Sequence, residues 1–272
     1  MVKLFGRVLE IVSGNVKITN ENLDIEFEVP FDDDLTPNLS EVRVFNLSQN
    51  TINNLKVGQQ LTLNGGYKGD KGVLLKGRIT NVKTPKIGTD RLTVIKVLDS
   101  VPYNAKKKLT KTWKNGIKAN ALLNDLAKAA GLKIAVIKLS KNVTYEKGYS
   151  IDGNVIEEIQ NIAKDCGVSA YISRGNIYIR SLKEGDNHNF ILNKTTGLVG
   201  SPEYFEEEMD GMDGKVSVRG YKIKSLLQHR MNTASIINLE AVGIKAKLRV
   251  RKGKHHGKVY GSDFFTEVEA IL

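Results

Sequence analysis

The stretch of sequence that decides the fold is residues 41–82, EVRVFNLSQNTINNLKVGQQLTLNGGYKGDKGVLLKGRITNV. Valines alternate with charged residues at its start, and this period of two predicts a strand over Ser40–Leu47. Ser48 follows, where its side chain can cap a short helix or turn. Two more predicted strands, Gln60–Asn64 and Val73–Val82, flank a glycine-rich stretch and predict a hairpin.

More short strands are predicted outside this stretch. Leu23–Val29 alternates apolar and acidic residues, so one face points inward and the other carries charge. The other strands predicted here are Lys3–Val12, Val16–Thr19 and Leu92–Val97. Short strands at a spacing of about 8–12 residues are typical of a small barrel or sandwich. Residues 1–105 are therefore predicted to form one β-domain, assigned as a first β-barrel.

The middle of the chain has helical periodicity. The apolar residues of Ala119–Ala130 fall on one helical face, and Gly131 stands where a C-terminal cap belongs. A second helix is predicted over Val155–Cys166, with Gly167 as its stop. The strands predicted around these helices are Lys133–Leu139, Val168–Ile172 and Asn176–Arg180. Residues 106–185 are therefore predicted to form an α+β domain with two helices.

Short strands resume after a polar linker, Lys183–Asn189. They are predicted at Asn189–Leu192, Gly214–Tyr221, Ser235–Glu240, Ala246–Val250 and Phe264–Leu272. Residues 186–272 are predicted to form a second β-barrel. The predicted fold class is therefore α+β and β-dominated, with two small β-barrels and an α+β domain between them.

Composition narrows the class of protein. The 272 residues include 41 Lys and Arg against 30 Asp and Glu, a formal net charge of +11, and 40% of them are hydrophobic. This proportion is ordinary for a globular protein and argues against a disordered chain. No apolar run reaches the roughly 20 residues of a transmembrane helix, and no signal peptide is expected. The single cysteine, Cys166, excludes an intramolecular disulfide and a multi-cysteine zinc site, and it favours a reducing compartment.

The charge changes sign along the chain. The net charge is about −5 in residues 1–50, about +12 in 51–118, about +2 in 119–202, about −6 in 203–214 and about +8 in 215–272. One coherent basic face would favour a nucleic-acid partner. Alternating blocks fit complementary surfaces between protein subunits at least as well.

Residues with catalytic or metal-binding chemistry form no complete motif. None of His188, His229, His255 and His256 stands in the metalloprotease helix pattern, and no Gly-x-Ser-x-Gly elbow is present. His255 and His256 are predicted to be a solvated pair in a glycine-flanked loop. Cys166 is interpreted as a packed residue at a helix end.

Two loop segments have a functional and a structural interpretation. Gly65–Gly72 lacks the lysine and hydroxyl residues of a phosphate loop, so a hairpin turn is favoured. Asp32–Asp34 lacks the spacing of a calcium-binding loop, so an acidic turn is favoured.

Two basic clusters suggest polyanion binding. Lys106–Lys108, with Lys111, Trp113 and Lys114, could bind single-stranded nucleic acid by phosphate contact and stacking, or Trp113 could pack at a domain hinge. The cations between Lys245 and Lys258 alternate with apolar residues at first, which predicts one charged strand face.

Four passages carry a family resemblance. They are residues 41–82, TTGLVGSPEYFEEE (195–208), VRGYKIKSLLQHRMNTASIINLEA (218–241) and LRVRKGKHHGKVYGSDFFTEVEA (248–270). Together, in this order and over most of the chain, they resemble the hub proteins of phage and phage-derived tails, the group that includes late-control-protein-D-like and baseplate-hub proteins of contractile tails.

The resemblance implies an architecture and an assembly. Such hubs have two small barrels related to the tail-tube fold, plus α+β domains. They form trimers, so that six barrels present a pseudo-sixfold ring to the hexameric tube while the other end holds the spike. Many relatives carry further C-terminal domains, including peptidoglycan hydrolases. This chain stops at Leu272, so lytic or spike activity is expected on a separate protein.

The expected function is therefore that of a structural baseplate hub, not an enzyme, with no cofactor and no metal. Its expected place is the virion tail baseplate, assembled in the bacterial host cytoplasm. The expected partners are two further copies in a homotrimer, the tail tube protein and the spike protein, with the tape measure and other baseplate proteins as further candidates. No membrane is expected, and nucleic acid only as DNA passing through the channel.

The candidate interface residues are acidic and basic groups expected on different surfaces. They are Glu206, Glu207, Glu208, Lys245, Lys247, Arg249 and Arg251. The alternative functions are a basic nucleic-acid-binding protein, for which the charge excess is the support, and a peptidoglycan-degrading tail component.

Overall fold

One continuous sheet holds most strands of the described chain. The computed structural model describes residues 4–99, 108–211 and 214–272, and their side chains except at 209–216. The first set of elements is β1 (Arg7–Ser13), β2 (Val16–Thr19), β3 (Ile25–Phe31), β4 (Leu39–Phe45), α1 (Gln49–Asn54), β5 (Gln60–Tyr67), β6 (Asp70–Lys83), β7 (Lys86–Ile87) and β8 (Asp90–Leu98).

The first set wraps one apolar core. Its strands pair in the order β3-β4-β8-β6-β5-β1-β2, and β7 pairs with β8. Leu9, Ile25, Val42 and Leu61 are fully buried in this core, as the alternation of apolar and polar residues predicts. The predicted cap is confirmed, because Ser48 Oγ accepts the Thr51 N–H at 3.1 Å.

The middle set has its own core between two helices and short strands. Its elements are β9 (Lys108–Trp113), β10 (Ile117–Lys118), α2 (Ala119–Ala130), β11 (Lys133–Ile137), β12 (Thr144–Tyr145), β13 (Tyr149–Asn154), α3 (Val155–Asp165), β14 (Ser169–Ser173) and β15 (Asn176–Arg180). The helices end at the predicted glycines: Gly131 and Gly167 have φ of 75° and 76°, a left-handed conformation that favours glycine.

The third set forms the other end of the sheet. Its elements are β16 (Asp186–Leu192), β17 (Leu198–Gly211), β18 (Gly214–Leu226), β19 (Ser235–Ala241), β20 (Ile244–Lys258) and β21 (Phe264–Ile271). The pairing order is β17-β18-β21-β20-β19-β16, and Leu192, Ile237, Leu248 and Val250 lie fully buried in its core.

The two strand sets are joined by hydrogen bonds between β3 and β20. The antiparallel register runs from Gly253 opposite Phe31 to Lys258 opposite Glu26. The α+β, β-dominated class is confirmed, and the shared sheet is a feature that the sequence did not reveal. The described residues contain three apolar cores, which share residues across the predicted limits: Leu227 and Phe264 pack in the first core. Residues 100–107, around the predicted boundary at 105, lie outside the described part, so the domain limits stay predictions.

Three sequence predictions about local structure are wrong. No strand was predicted over most of β17, which is 14 residues long. The polar linker Lys183–Asn189 is in part strand, because β16 begins at Asp186 and pairs in parallel with β19. His255 and His256 lie inside β20 and not in a loop.

Candidate functional site

The acidic segment forms the outer strand of a long hairpin. β17 pairs with β18 from Leu198 to Gly211, but β18 pairs with β21 only from Gly220 onward. The part of β18 that precedes Gly220, together with the part of β17 paired to it, therefore extends past the end of β21. Within the described residues β17 has no strand on its other side, so its outer N–H and C=O groups form a free edge.

Glu206, Glu207 and Glu208 lie on this hairpin and point to alternate faces. Glu206 accepts hydrogen bonds from the Ser217 hydroxyl at 2.6 Å and from Arg219 Nε at 3.1 Å. These two bonds lower the pKa of Glu206 below its ordinary value. Glu208 is exposed on the same face as Glu206. The Glu206 carboxylate is therefore held in its charged form on an exposed hairpin.

Glu207 points to the opposite face and reaches the basic strand. Its Oε1 lies 3.1 Å from Arg251 Nη1. Acidic and basic candidates thus meet within one chain here, so the prediction that the two segments lie on different surfaces is wrong for this pair.

The basic strand β20 carries exposed cations at its beginning but buries two arginines further along. Lys245 and Lys247 are exposed, and Lys245 lies 3.9 Å from Glu240 in a loose, exposed pair. The side chain of Arg249 is only 3% exposed, and that of Arg251 is 14% exposed. The prediction of one exposed charged face along the strand is therefore wrong for Arg249 and Arg251.

The acidic turn before β4 explains this burial. Asp33 Oδ2 lies 2.7 Å from Arg249 Nη1, and Asp33 Oδ1 lies 3.4 Å from Arg251 Nε. Arg249 Nε also donates to the Glu184 carbonyl at 3.0 Å. The aspartate turn, favoured over a calcium loop from the sequence, thus binds arginines of the same chain.

A ladder of paired charges crosses the sheet face of β18, β21 and β20. Glu269 lies 2.9 Å from Lys252 and 4.0 Å from Lys222. Glu267 lies 3.0 Å from Lys224 and 4.0 Å from Lys254. Sequence reasoning missed this ladder, although the spacing of two between its charges on each strand is the signal that could have revealed it.

The ladder continues onto the first strand set and borders a groove. Glu26 on β3 lies 2.9 Å from Lys258 and 3.7 Å from Arg43. The groove has a volume of about 610 Å³, and Phe31, Ile223 and Val268 are among its lining residues. Most of the cations on this face are therefore paired with carboxylates of the same chain.

The neighbouring residues His255 and His256 differ in burial. His255 is fully buried, its Nδ1 lies 2.8 Å from Thr266 Oγ1, and its Nε2 lies 3.3 Å from Asn232 Oδ1. Burial lowers the pKa of His255 to about 3. His256 is half-buried, 3.4 Å from Glu267. The prediction of a solvated loop pair is wrong, and the described residues contain no group of three or more potential metal ligands.

The other segments singled out in the sequence take part in packing or in a turn. Trp113 is buried and its Nε1 donates to Asp125 at 2.9 Å, while Lys106 and Lys107 lie outside the described residues. Cys166 is buried, and burial raises the pKa of its thiol. Gly65–Gly72 forms the predicted hairpin between β5 and β6. None of the helices in the described part is long and apolar enough to cross a membrane.

Known proteins resemble this chain in structure and not detectably in sequence. No protein-family model matches it, and no curated protein sequence matches it. The tail protein from Neisseria meningitidis MC58 has a TM-score of 0.65 at 11% identity and covers 98% of this chain and 97% of that chain. The 43 kDa tail protein of prophage MuSo2 from Shewanella oneidensis has a TM-score of 0.63 at 10% identity, covering 97% and 98%.

A third similar structure comes from a secretion system. It is an E. coli component of the type VI secretion system, described as structurally similar to the T4 bacteriophage tail proteins gp27 and gp5. Its TM-score is 0.65 at 9% identity, and the match covers 96% of this chain and 76% of that chain. At such identities the likeness establishes the fold alone, and by that measure this chain has the fold of phage tail proteins.

Proposed function

We propose that the chain is the structural baseplate hub of a phage or phage-like tail, three copies of which form a ring between the hexameric tube and the central spike. The observation that carries this proposal is the shared sheet, in which two strand sets of one chain are joined through β3 and β20. Three such chains supply six β-units, which is the number that a hexameric partner requires.

The junction between the strand sets supports this role mechanically. A ring of six near-equivalent units needs a fixed angle between the two units of each chain. The β3–β20 ladder and the buried contact between Asp33 and Arg249 both cross this junction. Buried ion pairs hold geometry because breaking one leaves an uncompensated charge.

The surfaces proposed to bind neighbouring subunits are the unpaired strand edge of the hairpin and the exposed charges at the start of β20. The free edge of β17 can pair with a strand of another copy, which would cover its exposed ladder groups. Lys245 and Lys247 are exposed cations that could meet the carboxylates of Glu206 and Glu208 on the next copy. The ladder face is a weaker candidate, because its charges are already paired.

We propose the tube protein, the spike protein and other baseplate components, including the tape measure, as further partners, and the virion tail baseplate as the location. The role proposed is structural and not enzymatic. Zymography on peptidoglycan tests the lytic alternative: a cleared zone from the purified chain would support it.

The nucleic-acid alternative rests on the net charge of +11. Much of that charge is engaged, since Lys224, Lys252 and Lys258 each lie within about 3 Å of a carboxylate. Cations already paired with carboxylates neutralise few phosphates, so their binding releases few of the counterions condensed on DNA. A DNA-binding assay over a salt series tests this alternative, and tight, steeply salt-dependent binding would favour it.

The experiment that tests the hub proposal is a mass measurement of the chain alone and co-expressed with candidate tube and spike proteins. The proposal expects three copies of this chain in each complex. A complex with six copies, or with one, would overturn it.

A further inference from the structure

A second cavity lies where the three sets of elements meet. Its volume is about 390 Å³, within the range of small-molecule sites. Val73 comes from the first set, Ser173, Arg174 and Tyr178 come from the middle set, and Ser235 comes from the third. No residue of this cavity belongs to the surfaces proposed above for assembly.

The cavity lining carries an excess of positive charge. Its cationic or titratable basic residues are Arg174, His188, His229 and Arg230. Its single carboxylate, Asp186, is already bound by Arg180, with Nη1 at 2.9 Å and Nη2 at 3.0 Å.

Two of the basic residues are neutralised or uncharged. Arg230 is paired with Asp70, Nη2 to Oδ1 at 2.7 Å. His229 Nε2 lies 3.0 Å from the same carboxylate, and burial lowers the pKa of His229 below its ordinary value. The excess charge comes chiefly from Arg174, which forms no close ion pair among the described residues and on which Asp186 acts at longer range.

Arg174 has unused hydrogen-bonding capacity. Its Nη2 donates to the Val73 carbonyl at 3.1 Å, and among the described residues no carboxylate pairs with it. A guanidinium has five N–H donors, so several remain available to a ligand in the cavity.

The backbone at Arg174 gives independent support. Arg174 and Gly175 form the two-residue turn between β14 and β15, with φ of 50° and 79°. This turn type favours Asn, Asp or Gly at both positions. A non-glycine residue at positive φ carries a conformational cost, and such residues cluster at functional sites.

We infer that this cavity binds a small phosphate-type oxyanion, with Arg174 as the principal charged donor. Hydroxyl groups of Ser173, Tyr178 and Ser235 also line the cavity and can donate to such an anion. Arginine suits this role because its planar donors match the oxygens of phosphate. The inference is independent of the hub proposal.

The test is calorimetric titration of the purified full-length chain with inorganic phosphate, using sodium chloride of matched ionic strength as the blank. The main variant is Arg174→Asn, because asparagine favours the same turn and the fold is retained. The matched control is Arg78→Gln, since Arg78 Nη1 also donates to one backbone carbonyl, that of Gly58 at 2.8 Å, away from the cavity.

We expect saturable phosphate binding by the wild-type chain with a dissociation constant of about 1 mM or tighter. Arg174→Asn should weaken phosphate binding at least tenfold while its melting temperature without phosphate is no lower than that of the wild type. Arg78→Gln should leave phosphate binding unchanged. Absence of saturable binding, or equal binding by Arg174→Asn, overturns the inference. Phosphate also stabilises proteins by exclusion from their surface, and an equal rise in melting temperature in all three proteins would count against a site.

Discussion

Arg249 and Asp33 are 216 residues apart in sequence, yet Arg249 Nη1 lies 2.7 Å from Asp33 Oδ2. The two side chains are 3% and 7% exposed. The pair links the turn after β3 to the middle of β20, beside the hydrogen-bonded junction of the two strand sets. The contacts that orient the two strand sets therefore lie within one chain and do not require a second copy.

Removing one member of this pair should destabilise the fold. Asp33→Asn leaves the Arg249 guanidinium buried without its counter-charge, and the expected loss is about 3–5 kcal/mol in the free energy of unfolding. Urea denaturation measures it. Lys245→Ala, which removes an exposed cation from the same strand, should change the same quantity by no more than about 0.5 kcal/mol. Equal effects of the two substitutions would show that the buried pair does not hold the junction.

Close backbone packing at the root of the hairpin gives a second prediction. A Cβ at Gly220 would lie 2.1 Å from the carbonyl oxygen of Ala270, whereas a Cβ at Gly153 would meet nothing within 4 Å. Gly220→Ala should therefore cost about 1–3 kcal/mol of stability by overpacking. Gly153→Ala should be neutral or stabilise by up to about 1 kcal/mol. Thermal denaturation of both variants checks the contrast, and a neutral Gly220→Ala would contradict the strand packing described.

Asp99 predicts a pH dependence of stability. Burial raises its pKa to about 7, against hydrogen bonds from Asn38 that favour the charged form, and Asp32 and Asp34 add repulsion. In the unfolded chain this carboxyl titrates near 3.8. Between these values the folded state holds the extra proton, so this contribution to stability falls as pH rises from about 4 to about 7, by at most about 1.4 kcal/mol per pH unit.

The variant Asp99→Asn isolates this contribution from the other titrating groups. Its stability relative to wild type should rise as pH increases from about 4.5 to about 7, and the difference should level off above that. Urea denaturation at several pH values measures the difference. Parallel curves for the two proteins would show that Asp99 titrates normally in the fold.

Charge reversal tests the proposed subunit surface. Lys245→Glu combined with Lys247→Glu should weaken assembly, because the two new carboxylates would face the carboxylates of the neighbouring copy and repel them. Lys141→Glu combined with Lys147→Glu makes the same charge change at exposed positions on the middle set and should leave assembly intact. Arg249 is unsuitable for this test, because its reversal would disturb the folded chain itself. Wild-type assembly by the first double variant would exclude this surface.

Local patterns in the sequence predicted much of the fold. The helix over Ala119–Ala130 has the predicted bounds, and the second differs by one residue at its end. Both rest on apolar periodicity and a terminal glycine, signals that lie within about a dozen residues. The hairpin between β5 and β6 was predictable for the same reason.

Long-range contacts account for what the sequence did not reveal. β17 lacks an apolar alternation through Glu206–Glu208, and it is a strand because β18 pairs with it along its length. Gly253 and Gly257 suggested a loop around His255, but a Cβ at Gly253 would lie 2.3 Å from the Glu267 carbonyl. These glycines mark close packing between strands. The burial of Arg249 depends on Asp33, a partner that no local pattern identifies.

The most direct test of the central claim is the stoichiometry of the assembled ring, measured by native mass spectrometry of the chain co-expressed with tube and spike proteins. The account predicts three copies, which contribute about 90 kDa given a chain mass of 30.1 kDa. An assembly that contains six copies of this chain, or a single copy, would contradict it.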